Sequence, residues 1–179
     1  MTVLHIDSSI NGDASASRAI SRSIVDQLAS DRLVYRDLVA EPLAHLTLDA
    51  FADTSVLDEF LAADTVVIGA PMYNFTLPSQ LKAWLDRILV AGKTFRYTEN
   101  GPQGLVGGKR VIVALARGGM YEEGSPAASL EHLESYLRGI FNFIGIDPEF
   151  VAADGLNFGP EQRQASLNAA IGDTVRLAA

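Results

Sequence analysis

The sequence predicts an α/β protein, a doubly wound five-stranded parallel sheet with helices on both faces. Five short apolar or alternating segments are interleaved with segments of helical periodicity, the order that produces a parallel sheet. Two of the segments, residues 65–68 and Arg110–Ala116, carry almost no polar alternation. Such runs are typical of strands that are buried on both faces. We expect a single domain that spans residues 1–179.

Strands and helices are expected to follow one another along the whole chain. The predicted strands are residues 3–7, 32–37, 65–68, 110–116 and 146–152. The predicted helices, which carry apolar residues at helical spacing, are residues 17–30, 56–63, 79–90, 129–143 and 160–177. Pro78 and Pro160 suit the starts of two of these helices, because the N–H that proline lacks is not needed there.

Two segments are expected to be less regular. Residues 40–54 contain Pro42 and are predicted to pack as a loop or a short turn. Residues 91–108 contain Phe95–Thr98 followed by Asn100-Gly101, a strong signal for a hairpin turn. We therefore expect a small β insertion at the same edge of the sheet as the loop after the central strand.

Composition narrows the classes of function. The chain has a formal charge of −8 and no cysteine, which excludes disulfides, thiolate nucleophiles and Cys-ligated metals. An acidic chain without a run of Lys and Arg disfavours nucleic acid as a partner. No apolar run approaches the roughly 20 residues of a membrane span, and no signal-peptide pattern is found. We expect a cytoplasmic protein with neither nucleic acid nor membrane as its partner.

The loop after the first strand, residues 8–17, is the candidate phosphate site. Its one glycine, Gly12, cannot make the G-x-G-x-x-G fingerprint of dinucleotide binding. The segment Gly92-Lys93-Thr94 matches only the tail of a P-loop and follows a helix, not a strand. A serine-rich loop that enters a helix can still bind an anion through free N–H groups and the helix dipole. The alternative is an ordinary polar loop with a capped helix.

Three loops are expected to meet at one edge of the sheet. They follow the first, third and fourth strands, and the last of them contains Gly118-Gly119. Strands that alternate with helices are compatible with the strand orders of dinucleotide-binding folds and with the flavodoxin order 2-1-3-4-5. Because the G-x-G-x-x-G fingerprint is missing, the sequence favours the flavodoxin order. In that order the three loops line one crevice, the place where flavin mononucleotide (FMN) binds in flavodoxin-like proteins.

Several motifs are shared with one known family. They are Ser8-Ser9, Ser15-Ala16-Ser17-Arg18, Pro71-Met72-Tyr73-Asn74-Phe75, Phe95-Arg96-Tyr97-Thr98-Glu99, Arg117-Gly118-Gly119 and Phe143-Ile144-Gly145-Ile146. Nearly end to end, the chain resembles the FMN-dependent NADH-azoreductases of the flavodoxin-like quinone reductase superfamily. Two departures stand out: Ala16 replaces the glutamine that the family usually carries at the phosphate, and the chain looks short between Arg36 and Val56.

The resemblance implies roles for individual residues. The FMN phosphate and ribityl chain would be held by Ser9, Ser15, Ala16 and Ser17. The isoalloxazine ring would be contacted, largely through backbone groups, by Met72, Tyr73, Asn74 and Phe75. The remaining cofactor contacts would come from Ala116, Arg117, Gly118 and Gly119, with the two glycines at the pyrimidine edge of the ring. Tyr97 and Phe141 would wall the substrate pocket, and a second subunit of a homodimer would complete the site.

The resemblance also implies an activity. NADH or NADPH would reduce the flavin, and a quinone or azo compound would then be reduced by two-electron, ping-pong hydride transfer through flavin N5. No protein side chain would be catalytic, and no metal site is predicted. Two interpretations of Arg117 remain open: it is a charge on the surface, or it attracts the phosphates of the nicotinamide cofactor. The alternatives for the whole chain are a flavodoxin-type single-electron carrier and an interaction domain without a cofactor.

Overall fold

A computed structural model describes residues 1–178 of the chain. Its strands are β1 (Thr2–Asp7), β2 (Arg32–Asp37), β3 (Thr65–Pro71), β4 (Phe95–Thr98), β5 (Gly101–Gly104), β6 (Arg110–Ala116) and β7 (Glu149–Ala153). Its α-helices are α1 (Ala16–Gln27), α2 (Leu48–Ala52), α3 (Ser55–Ala62), α4 (Ser79–Ile88), α5 (Glu134–Phe143) and α6 (Pro160–Thr174). Short 3₁₀ turns are formed by Gly12–Ala14, Ala128–Leu130 and Val175–Ala178.

Five of the strands form one parallel sheet in the order β2-β1-β3-β6-β7. Numbered by their position among these five strands, this is the predicted flavodoxin order 2-1-3-4-5, which is therefore confirmed. The strand order reverses between β1 and β3, and a crevice at that point receives ligands in folds of this kind. The strands β4 and β5 form the separate antiparallel hairpin predicted from Asn100-Gly101.

The core lies in two layers, one on each face of the sheet. Every residue of β3 is buried, as its uninterrupted apolar run predicts. Val66 and Ile68 belong to the layer that contains Trp84 of α4, whereas Val67 belongs to the layer under α1 and α6. This split follows from the period-2 alternation of side chains along a strand. Packing on both faces fixes β3 in place and, with it, the edge of the sheet where the loops meet.

Several boundaries differ from the prediction, each with a local cause. The helix α5 starts at Glu134 rather than near residue 129 because the Glu131 carboxylate accepts hydrogen bonds from the backbone N–H of Leu133, Glu134 and Ser135. The helix α1 ends at Gln27, two residues before Ala29 takes a left-handed conformation (φ 43°), a common way to end a helix.

Other differences fall in the second half of the chain and at residues 40–54. The last strand begins at Glu149, after Pro148, because proline has no N–H to pair in the sheet. The helix α4 ends at Ile88, short of the predicted Val90. The loop of residues 40–54 contains the short helix α2, which is capped by Thr47. Among residues 1–178, no helix has the length and apolar character needed to cross a membrane.

Candidate functional site

A cavity of about 230 Å³ opens at the carboxyl ends of β1, β3 and β6. Seven residues predicted to bind the cofactor line it: Ser9, Ser15, Ala16, Met72, Tyr73, Ala116 and Gly118. A wider groove of about 650 Å³ shares Met72 and Tyr73 with the cavity and extends along the loop to Gln80. Three loops that are distant in the sequence therefore meet at one crevice, because parallel strands present their following loops at the same edge.

The N-terminus of α1 forms the polar end of the cavity. Ser15 caps the helix, because its Oγ accepts a hydrogen bond from the backbone N–H of Arg18 at 3.3 Å. The Ser15 and Ser17 hydroxyls lie 3.1 Å apart. Within residues 1–178, the backbone N–H groups of Ala16 and Ser17 have no hydrogen-bond partner, as expected for the first turn of a helix. Free N–H groups at the positive end of a helix dipole fit a phosphate.

The Tyr73 hydroxyl joins the central loop to the serine-rich loop. It accepts a hydrogen bond from the backbone N–H of Ile10 at 3.1 Å, and it lies 3.2 Å from the Ser9 Oγ. The Ser9 Oγ in turn accepts from the backbone N–H of Asn11 at 3.3 Å. The sequence predicted a backbone role for Tyr73, whereas its side chain braces the wall of the cavity.

The serine-rich loop is also held by the side chain of Arg18. The Arg18 guanidinium donates to both oxygens of the Asp37 carboxylate, at 2.7 and 2.9 Å, and to the backbone carbonyl of Ser9 at 2.9 Å. The hydrogen bond with Arg18 holds the pKa of the Asp37 carboxyl below its usual value. Because Asp37 neutralises the charge of Arg18, the main effect of the Arg18 side chain on the loop is to position the Ser9 carbonyl through its hydrogen bond.

A buried carboxylate, Asp7, lies beneath this loop. Burial alone would raise the pKa of the Asp7 carboxyl, but hydrogen bonding and charge from His5, hydrogen bonding from Ser21 and the charge of Arg18 bring it below its usual value. The Asp7 Oδ1 accepts from the Ser21 hydroxyl at 2.9 Å, and a Cβ at Gly69 would lie only 2.3 Å from that oxygen. Glycine at position 69 therefore lets the carboxylate sit against the central strand.

The central loop turns sharply at Asn74 and Phe75. Both have positive φ, 48° and 71°, and the backbone N–H and C=O groups of Tyr73 and Thr76 pair with each other at 2.9 and 3.1 Å. Two successive residues with positive φ between paired neighbours are typical of a type I′ turn. A left-handed phenylalanine is strained, and such strain is concentrated at binding sites. Asn74 lines the wider groove, and Phe75 is exposed.

The loop after β6 is held by the loop after β7. Arg117 donates its backbone N–H to the Ala153 carbonyl, and Asn157 donates its backbone N–H to the Gly118 carbonyl, at 2.9 and 3.0 Å. A Cβ at Gly118 would lie 2.3 Å from the Nδ2 of Asn157. The small size of the glycine at position 118 thus lets the Asn157 side chain lie against this loop, and a larger residue there would displace that side chain.

The Arg117 side chain is neither a surface charge nor part of the cavity wall. It is 6% exposed, and it makes two hydrogen bonds to the Asp154 carboxylate, at 2.5 and 3.0 Å. Its Nη1 also lies 3.4 Å from a Glu134 oxygen and 3.6 Å from a Glu131 oxygen. With its charge surrounded by three carboxylates, Arg117 connects the loops after β6 and β7 to the start of α5.

Some predicted residues lie outside the cavity. Phe141 was predicted to wall the substrate pocket, but it does not line this cavity: it is fully buried in the core layer that contains Trp84, because its apolar helix face packs against the sheet. Tyr97 stands on the β4–β5 hairpin, 74% exposed, with its ring 5.6 Å from that of Phe95. Gly119 packs near the Tyr121 ring, and Ser17 is buried behind the helix cap.

Five residues of the cavity wall were not predicted: Asn11, Pro71, Leu156, Asn157 and Arg163. Asn11 and Pro71 lie inside loops that the sequence had already singled out. Leu156 and Asn157 follow β7, so the rule that places loops at the carboxyl ends of parallel strands would have included them. Arg163 lies on the first turns of α6, and no motif in the sequence indicates its position.

Taken together, the cavity has a donor-rich end and a walled slot. The donor-rich end offers backbone N–H groups and hydroxyls that suit a phosphate. The slot is formed by Met72 and Tyr73 on one loop and by Ala116 and Gly118 on another, a place for a flat ring with polar edges. These groups fit the FMN that the resemblance implies.

Comparisons with known proteins agree with this geometry. A family model described as a flavodoxin-like fold matches residues 1–177. The FMN-dependent NADH:quinone oxidoreductase 2 of Bradyrhizobium diazoefficiens is 56% identical, over 96% of each chain. An FMN-dependent NADH:quinone oxidoreductase of Sinorhizobium fredii is 53% identical, over 99% of this chain and 100% of the relative.

Solved structures show the same likeness. An azoreductase from Bacillus anthracis superposes with a TM-score of 0.89 at 30% identity, covering 99% of this chain and 98% of that one. An FMN-dependent NADH-azoreductase from the same species, solved in complex with FMN, superposes with a TM-score of 0.86 at 26% identity over the full length of both chains.

Proposed function

The chain belongs to the family of FMN-dependent NADH:quinone oxidoreductases with the flavodoxin-like fold, and on this basis we propose that it reduces quinones and azo compounds with NADH or NADPH. The FMN would bind in the cavity between the loops after β1, β3 and β6. Residues 1–179 would act as one FMN-binding domain. The absence of cysteine is consistent with the reducing environment of the cytoplasm, where we place the protein.

One observation supports this function most directly. The start of α1, where the N–H groups of Ala16 and Ser17 have no partner among residues 1–178, borders through Ser15 and Ala16 a cavity that is also lined by Met72, Tyr73 and Gly118. A phosphate site and a slot for a flat ring are thus continuous, which is what a mononucleotide with a tricyclic base requires. The strained turn at Asn74 and Phe75, at the same edge of the sheet, favours a binding site over an interaction domain without a cofactor.

The chemistry would belong to the cofactor, and the protein would bind and orient. Bound FMN supplies hydride transfer through N5. Ser9, Ser15 and the backbone of Ala16 and Ser17 would hold the phosphate and ribityl chain, and the turn at Asn74 and Phe75 would lie along the ring. Since one slot would serve both the nicotinamide and the acceptor, the reaction would be ping-pong.

Anaerobic mixing of NADH with the FMN-loaded protein is expected to remove the flavin absorbance in one two-electron step, and a quinone added afterwards is expected to restore it. Stopped-flow absorbance would follow both half-reactions, with NADPH measured in parallel to establish which reductant is preferred. A flavodoxin-type electron carrier, the alternative, would react slowly with NADH and exchange single electrons. Failure of both NADH and NADPH to reduce the flavin, with FMN demonstrably bound, would therefore contradict the reductase.

We also propose that the active unit is a homodimer, with the cavity completed by the second subunit. Ile10, Tyr97 and Phe158 are 60%, 74% and 64% exposed, and the second subunit would cover apolar side chains of this kind. Sedimentation velocity of the FMN-loaded protein is expected to give twice the 19.2 kDa of the chain. A fully active species that sediments as a monomer would overturn this assembly.

A further inference from the structure

We propose that Arg163 provides a cationic contact to the FMN phosphate, so that the phosphate site of this chain is not purely neutral. This inference rests on the proposed function, because it concerns the site where FMN would bind. It adds a cation to the free N–H groups and the helix dipole through which the sequence analysis expects the loop to bind an anion. The residue comes from α6, which belongs to none of the three loops predicted to form the site.

The position of Arg163 is well defined. Its Nη2 donates a hydrogen bond to the backbone carbonyl of Ala14 at 2.7 Å, and its own backbone N–H donates to the Gly159 carbonyl at 2.9 Å. Ala14 immediately precedes the helix cap Ser15. The side chain of Arg163 is half-buried and lines the cavity together with Ser15 and Ala16. The guanidinium therefore lies beside the residues whose N–H groups would meet the phosphate.

The charge of Arg163 is free, unlike the charges of the other two arginines around the site. Arg18 is paired with Asp37, and Arg117 is paired with Asp154. For Arg163, no carboxylate of residues 1–178 lies within the 4.0 Å that defines an ion pair. The one hydrogen-bond partner of its guanidinium in that part of the chain is the neutral Ala14 carbonyl. A guanidinium has five N–H donors, so most of its donors remain for a ligand.

The chemistry of the guanidinium matches a phosphate. Arginine presents a planar fork of donors that pairs with two phosphate oxygens at once. In a chain with a net charge of −8, a doubly charged phosphate is repelled at long range, and one unneutralised cation in the cavity counters that repulsion locally. FMN differs from riboflavin only by this phosphate, so the contribution of Arg163 can be isolated by comparing the two ligands.

The test is a titration of the full-length apoprotein with FMN and with riboflavin, followed by quenching of flavin fluorescence. Arg163→Gln is expected to weaken FMN binding about tenfold, or about 1.4 kcal/mol, and to leave riboflavin binding unchanged. Arg163→Lys should recover part of the loss because it keeps the charge. Arg22→Gln is the matched control: Arg22 is exposed and paired with Asp26, so this variant has the same net charge without touching the cavity.

Salt provides a second readout that a merely structural role would not change. Added potassium chloride should shrink the difference in FMN affinity between the unaltered protein and Arg163→Gln, because salt screens the attraction between the guanidinium and the phosphate, whereas the repulsion by the rest of the chain is common to both proteins. Equal effects of Arg163→Gln and Arg22→Gln on FMN affinity, or an equal loss for riboflavin and FMN, would overturn the inference. If the unaltered protein bound no FMN at all, the proposed function itself would fail, which is a different outcome.

Discussion

Replacing Arg117 with methionine is expected to lower the free energy of unfolding by about 3–5 kcal/mol, the usual cost of removing one partner from a buried ion pair. The guanidinium is nearly inaccessible and holds Asp154 at 2.5 Å, with Glu134 and Glu131 at 3.4 and 3.6 Å. Methionine fills a similar volume but leaves three partly buried carboxylates without a counter-charge. Urea unfolding of both proteins at pH 7 would measure the difference.

A change of pH should separate this electrostatic cost from lost packing. In the unaltered protein burial alone would raise the pKa of Glu131, but hydrogen bonds from the backbone N–H of Glu134, Ser135 and Leu133, together with the charge of Arg117, bring it below its usual value. A carboxyl whose folded pKa is lowered stabilises the fold above its unfolded pKa, and this stability is lost as the pH falls. Without Arg117 this lowering is weakened, so the deficit of Arg117→Met should be largest at pH 7 and smaller near pH 4.

The matched control is Arg138→Met. Arg138 pairs with the same Glu134, at 2.9 Å, but its side chain is 46% exposed, and exposed ion pairs contribute only about 0–1 kcal/mol. A loss for Arg117→Met no larger than that of the control would show that the cluster around Arg117 does not hold the three segments together. The FMN affinity of Arg117→Met should also fall, since Gly118 is the next residue and its backbone depends on the same contacts.

Much of the fold is predictable because its signals are local. The buried strand β3 and the hairpin turn at Asn100-Gly101 carry their patterns within a few residues, so the sheet order and the small β insertion follow from the sequence. The boundary of α5 is different, because it depends on the Glu131 side chain accepting three backbone hydrogen bonds. A capping carboxylate three residues before the first residue of a helix competes with the helical pattern, and the sequence alone does not decide between them.

The site is predictable only where its residues belong to recognisable loops. Ser15, Met72 and Gly118 line the cavity because they follow strands that are neighbours in the sheet, and their contacts with a cofactor stay a prediction. Phe141 lies in the core instead, and a helix-face aromatic has the same pattern whether it packs in the core or lines a pocket. The ion-pair partners of Arg117 were not predicted either, because Asp154 lies 37 positions away in the sequence.

Replacing Ala16 with proline is expected to weaken FMN binding by about 10- to 100-fold, because a hydrogen bond to a charged group contributes about 1.5–3 kcal/mol. Ala16 is the first residue of α1, a position where proline is favoured and its missing N–H costs the helix nothing. The preceding Ser15 has φ −77° and ψ 123°, which a following proline accepts. The substitution therefore removes one donor at the phosphate and keeps the helix.

The decisive comparison is between ligand binding and stability. The unfolding free energy of the apoprotein should change by less than about 1 kcal/mol in Ala16→Pro, since a compatible proline mainly restricts the unfolded chain. Ala16→Ser, which keeps the N–H, should retain most of the FMN affinity. Riboflavin affinity should be nearly the same in all three proteins, because riboflavin has no phosphate to meet the N–H. Unchanged FMN affinity in a correctly folded Ala16→Pro protein would mean that the phosphate does not bind at the start of α1, and the placement of the whole cofactor would have to be abandoned.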